Sequence, residues 1–183
     1  MALLSKFRNL FQAPPTPVAA LPIVDPTGQL PERRGRPRLN ARPDLRIVVI
    51  DDSATVCAAL RKILQSIGLN VRIAGDAENG LAMVMADPPD LIFLDIVLPQ
   101  MNGFSALRVL RRNALTRSIP VIMISGNEQA TEQFFGSAIG ADDFMKKPFS
   151  RLEVFERIER LLDEQHVPRR KTPMTMPAPL SST

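Results

Sequence analysis

From residue 45 onward the chain alternates between short apolar runs and longer stretches whose apolar positions recur at helical spacing. Leu45 to Ile50 is apolar apart from Arg46, the pattern of a strand covered on both faces. Val56, Leu60, Ile63, Leu64 and Ile67 then fall on one side of a helix that stops at Gly68. A short strand is predicted over Asn70 to Ala74, followed by a helix from Ala77 to Ala86 that ends before Pro88 and Pro89. Leu91 to Leu94 is a second wholly apolar strand, and Gly103 opens a helix running to Arg112. Pro120 precedes the strand Val121 to Ile124, Thr131 to Ile139 predicts a helix closed by Gly140, and Asp143 to Lys146 is a fifth strand. Ser150 and Glu153 form a capping box for the last helix, with Leu152, Phe155, Ile158, Leu161 and Leu162 as its apolar face.

Five strands interleaved with five helices predict an α/β fold with parallel pairing and right-handed crossovers. The body so defined is residues 45–164. Outside it the pattern breaks down. Eight of the 17 prolines precede residue 46 and four follow residue 164. Pro-rich segments without apolar periodicity cannot bury enough surface to fold, so residues 12–44 and 165–183 are expected to be disordered. Charge divides at the same boundaries. Residues 1–45 carry seven Lys/Arg against three acids, the body 13 against 16, and the tail three against none.

The single cysteine, Cys57, excludes an intrachain disulfide and a multi-cysteine zinc site. Its place on the apolar side of a helix favours a buried small hydrophobe over a reactive thiol. No apolar run approaches 18 residues and no cleavable signal is present, so a cytoplasmic location is expected.

Chemistry gathers at strand ends. Asp51 and Asp52 directly follow the first strand, and Asp95 follows the third. Open α/β sheets bind ligands outside the carboxyl ends of their strands at a topological switch point. If the first and third strands are neighbours, the three acids converge, although spacing alone does not reveal strand order. Convergent carboxylates repel one another unless a cation is present, and a hard divalent ion such as Mg²⁺ suits such a site. Ser125 ends the fourth strand and Lys147 the fifth, a hydroxyl and an ammonium suited to the oxygens of a transferred phosphoryl group. Lys146, its neighbour, points to the opposite side by alternation.

The stretches IVVIDDS (47–53), LIFLDIVLPQMNG (91–103), VIMISG (121–126) and GADDFMKKPFS (140–150) resemble the response-regulator receiver family of two-component signalling. The resemblance implies a flavodoxin-like (βα)5 three-layer sandwich with strand order 2-1-3-4-5. It implies that Asp95 accepts a phosphoryl group from a histidine kinase or phosphotransfer protein. Asp51, Asp52, Asp95 and the backbone carbonyl of Val97 would hold Mg²⁺, and Ser125 and Lys147 would bind the phosphoryl oxygens. The Lys147–Pro148 bond is expected to be cis. Ser125 and Phe144 would be the switch residues, with permanent burial as the competing reading of Phe144. Val97 and Asn127 occupy positions that tune dephosphorylation, and Val97 departs from relatives whose polar side chain there orients an attacking water. Slow self-dephosphorylation follows. His166, the only histidine, has no role in this scheme.

About 19 residues follow the last helix, too few for a helix-turn-helix, so no C-terminal output domain is expected. Output would pass to a target protein through the surface of the fourth predicted helix, fifth strand and fifth helix. Residues 1–11 place Leu3, Leu4, Phe7, Leu10 and Phe11 on one side of a helix, as for docking on a membrane surface or a partner. Arg34-Gly35-Arg36-Pro37 resembles the core of an AT-hook. A solvated charge run, or attraction to an acidic partner, is the stronger reading of that stretch, and DNA the weaker. A phosphorylation-independent scaffold is the alternative from another class, opposed by the complete set Asp51, Asp52, Asp95, Ser125 and Lys147. A hydrolytic phosphatase is a lesser one, marked by steady turnover.

Overall fold

The computed structural model describes residues 39–129 and 140–170. Five parallel strands, β1 (Arg46–Ile50), β2 (Asn70–Ala74), β3 (Leu91–Asp95), β4 (Val121–Ser125) and β5 (Asp143–Lys146), form one sheet in the order β2-β1-β3-β4-β5. Four helices surround it among the described residues: α1 (Ala54–Gln65), α2 (Ala77–Ala86), α3 (Gly103–Arg112) and α4 (Arg151–Glu159). The helix predicted over Thr131 to Ile139 lies outside them, as do the 1–11 segment, the Arg34–Pro37 motif and residues 171–183.

Strand alternation sorts the core into two layers. Val48, Ile50, Ile92, Leu94, Val121, Met123 and Phe144 face α2 and α3, where they meet Leu81, Val84, Phe104, Leu107 and Leu110. Ile47, Val49, Leu91, Phe93, Ile122, Ile124 and Met145 face α1 and α4, packing with Leu60, Leu64, Val154, Phe155 and Ile158. Cys57 is buried in that second layer, as its helical position predicts. With helices on both faces, β1, β3 and β4 have no solvent side, which is why they read as unbroken apolar runs.

Helix starts are set by side-chain caps. Ser53, Asp76, Asn102 and Ser150 each accept a backbone N–H from three residues on. The box at α4 forms only on its Ser150 side, because the Glu153 carboxylate lies 3.5 Å from Arg157. The predicted apolar face of α4 is also corrected. Leu152 is exposed and Val154 is fully buried in its place.

Both expected disordered boundaries need revision. Leu39 and Ala41 pack against the second core layer. After α4 the chain turns back on itself: Leu162 bridges Pro168 in antiparallel fashion, and the Arg169 N–H donates to the Leu161 carbonyl at 2.8 Å. Val167 is buried in the core. Nε of Arg170 lies 2.9 Å from Asp142, beside Arg111. The Arg42 N–H donates to the His166 carbonyl at 3.0 Å, tying the incoming segment to this return strap. A boundary set by proline content misses these residues because a few apolar and charged contacts order them.

Candidate functional site

The carboxyl ends of β1 and β3 lie side by side because β1 pairs with both β2 and β3. That adjacency brings Asp51, Asp52 and Asp95 together, each offering a carboxylate oxygen within 4.8 Å of the others. Asp51 and Asp95 are buried, whereas Asp52 is exposed. β4 adds Ser125 and the turn after β5 adds Lys147, whose N–H donates to the Ser125 carbonyl at 2.8 Å. The Lys147–Pro148 peptide is cis.

Lys147 binds two of the acids at once. Its Nζ lies 2.7 Å from Oδ2 of Asp51 and 2.8 Å from Oδ2 of Asp95. The Asp95 contact has hydrogen-bond geometry. The Asp51 contact is an ion pair without that alignment, so buried Oδ2 of Asp51 has no hydrogen-bond donor. The other oxygens are held by backbone: the Ser53 N–H donates to Asp51 Oδ1 at 2.9 Å, and the Val97 N–H to Asp95 Oδ1 at 3.3 Å. Lys146 turns outward and lies 3.6 Å from Glu128, as strand alternation requires.

These contacts set opposing pressures on charge. Burial pushes the Asp95 carboxyl above its ordinary range, and the charge of Asp51 adds to this against the hydrogen bond and charge of Lys147. Burial also opposes the Lys147 ammonium, but its bonds and charge pairing with Asp51 and Asp95 outweigh that and hold its pKa raised. Burial and the nearby Asp51 charge push the Cys57 thiol up, and its Sγ is engaged with the Asp51 carbonyl at 3.2 Å, so it behaves as core.

Ser125 is fully buried, and its Oγ accepts the Asn127 N–H at 3.1 Å. Val97 projects outward, 52% exposed, beside Asp95. Phe144 is buried in the first core layer. Three hard carboxylate donors, with a buried Asp51 oxygen held only by the Lys147 ion pair, fit a small divalent cation such as Mg²⁺.

Ser53 and Gly103 lie within the quoted motifs, and their contacts show what each does for the site. Ser53 both caps α1 and fixes Asp51, a role signalled by its place between a strand and a helix. Gly103 donates its N–H to the Ile96 carbonyl at 2.9 Å, and a β-carbon on it would collide with the Asp95 carbonyl oxygen.

Residues 47–159 match the family described as the response regulator receiver domain. The chain belongs to that family. This receiver is 35% identical over 117 residues to the protein PilH of Pseudomonas aeruginosa, a match covering 64% of this chain and 97% of PilH. It is 32% identical to PilG of the same organism, covering 68% of this chain and 88% of PilG. The chemotaxis protein CheY4 of Vibrio cholerae superposes with a TM-score of 0.60 at 25% identity, covering 65% of the receiver chain and 99% of CheY4. Against longer relatives the likeness is partial. The receiver spans 56% of the transcriptional regulatory protein SphR of Synechococcus elongatus and 50% of CpxR of Klebsiella pneumoniae. Among its described residues no helix is long and apolar enough to cross a membrane.

Proposed function

We propose that this receiver takes a phosphoryl group onto Asp95 from the phosphohistidine of a sensor kinase or phosphotransfer protein, and thereby changes the surface it offers to a target protein. The observation that carries the reading is the convergence of Asp51, Asp52 and Asp95 with Lys147 bridging two of them.

Asp95 is the nucleophile. A carboxylate oxygen forms the new O–P bond as the N–P bond to the donor imidazole breaks, and the leaving nitrogen takes its proton from solvent. No protein base is required, since a carboxylate attacks in its ionised form, and Lys147 supports that form against the burial that pushes the Asp95 carboxyl up. Mg²⁺, held by Asp51, Asp52, Asp95 and the Val97 carbonyl, would supply neutralisation of charge shared between acceptor and phosphoryl oxygens. Lys147 and Ser125 then bind those oxygens, Ser125 exchanging its Asn127 contact for the phosphoryl group. Phe144, two strand positions before Lys146, the β5 partner of Ser125, carries the change toward the β5–α4 surface.

The outcome is a stoichiometric switch and not a turnover enzyme. The likeness over nearly the full length of PilH and of the chemotaxis protein CheY4 supports a chemotaxis-like or pilus motility setting. Incubation with acetyl phosphate and Mg²⁺, followed by intact mass measurement, tests the reading. One phosphoryl group on the wild type and none on Asp95→Asn is expected. Equal labelling of the two overturns it.

A further inference from the structure

The end of the sheet opposite the acids collects positive charge. Between Asp95 and Glu128 the chain carries Arg108, Arg111, Arg112 and Arg117 and no acidic residue. Arg111 is turned inward onto Asp142. Arg108, Arg112 and Arg117 are exposed, and their guanidinium groups make no ion pair among the described residues. The return strap touches this group at Arg117, with Nη1 of Arg170 donating to the Arg117 carbonyl at 3.1 Å. Lys171 follows in a stretch, 165–183, that contains no acid.

The incoming segment reaches the same strap. The Arg42 N–H donates to the His166 carbonyl. His166 and Arg170 are separated by four residue steps, so the two tethers lie at most about 14 Å apart along the backbone. That is less than half of a duplex turn of about 34 Å. Acids here are mostly engaged: Asp163 pairs with Arg169, and Asp142 with Arg111 and Arg170. Exposed Asp44 and Glu164 adjoin Arg42 and His166, so the α3 side is the more positive.

Composition separates an acidic protein partner from a nucleic acid. Protein interfaces enrich arginine too, but around apolar centres that are rich in aromatic residues and Met. Of the exposed large hydrophobics among the described residues, Met85, Val97, Leu115 and Leu152, only Leu115 belongs to the 108–117 stretch. Nucleic-acid interfaces are polar and positively charged. We propose that Arg108, Arg112 and Arg117 form a binding face for duplex DNA that engages its phosphate backbone, independently of the phosphoryl site.

Fluorescence anisotropy of labelled A·T-rich and G·C-rich duplexes, titrated with the full chain across a salt series, tests this. Binding that weakens steeply with salt is expected. Arg108→Ala/Arg112→Ala/Arg117→Ala should lower the slope of log K against log salt by about 2.7, three phosphates at about 0.9 each. An unchanged thermal midpoint shows that the variant is folded, and a single arginine replacement in the set serves if the triple is not. An unchanged slope overturns the proposal, including the case in which Arg34→Ala/Arg36→Ala alone abolishes binding. So does the absence of duplex binding at low salt, or binding confined to phosphatidylserine vesicles.

Discussion

Gly103 packs its α-carbon against the carbonyl of Asp95 so closely that any β-carbon would collide with that oxygen. The helix α3 therefore begins directly against the backbone that carries the acceptor carboxylate, and the Gly103 N–H bond to Ile96 locks the two together. Gly103→Ala must push the 95–102 turn aside. A loss of about 1–3 kcal/mol is expected, in the range of overpacked sites, with slower phosphoryl uptake from acetyl phosphate. Gly75 has open space where its β-carbon would stand, so Gly75→Ala is the matched control. Urea denaturation of the two variants checks the contrast, and equal midpoints would remove Gly103 from the site's framework.

The Val97 side chain stands exposed beside Asp95 while its N–H holds Asp95 Oδ1. An apolar side chain there offers no hydrogen bond to a water approaching the acceptor. Val97→Asn keeps the backbone contact and adds an amide at that approach. Its phosphoryl lifetime is expected to be several-fold shorter than the wild type's, followed by loss of phosphoryl mass over time. A lifetime equal or longer in the variant sinks the idea.

The legible part of this fold is the part written in period. Short apolar runs located the described strands, most plainly β1, β3 and β4, which are buried on both faces, while the edge strand β2 is only half-buried. Asp51, Asp52, Asp95, Ser125 and Lys147 were legible because strand ends fix where side chains emerge. Strand order was not, since it depends on pairing between segments far apart in sequence, and only the family resemblance supplied it. Leu152 misled because its spacing fits either side of a short helix. Val154, by contrast, packs with Phe155 and Ile158 against the sheet, while Arg151 sits 4.8 Å over the Phe155 ring. The strap of residues 162–170 was hidden for another reason: one buried valine and a long-range ion pair from Arg170 to Asp142 leave no periodic trace.

Asp163 organises that strap. Its Oδ1 accepts the N–H groups of Gln165 and Val167 at 2.9 and 3.0 Å, and Oδ2 accepts from Arg169 at 2.9 Å. These bonds, the Val167 N–H foremost, hold its carboxyl below the ordinary 3.8. A depressed aspartate contributes stability that is present above its unfolded value and lost as pH falls through its folded value. Amide exchange at Val167 and Gln165, corrected for intrinsic rate, should therefore stay slow down to 3.8 and accelerate below it. Asp163→Asn should show the fast exchange at every pH. Protection that is indifferent to both changes would mean that Val167 burial alone holds the strap.

Asp142 is buried at the entrance to β5 and accepts from three directions: the Val121 N–H at 2.9 Å, Arg111 Nη2 at 2.8 Å and Arg170 Nε at 2.9 Å. Burial pushes the Asp142 carboxyl up and draws Arg111 down to about 10, so each charge is sustained mainly by its partners. Removing Arg111 strands a carboxylate that one arginine must hold, and a loss of about 3 kcal/mol or more is expected for Arg111→Met. Arg170→Ala leaves the inner pair intact and should be milder. In Asp142→Asn/Arg111→Met no carboxylate is left buried at position 142, so the double variant should lose clearly less than the sum of its single changes. Urea melts of the four proteins measure the coupling, and strict additivity would show that the contacts around Asp142 act independently.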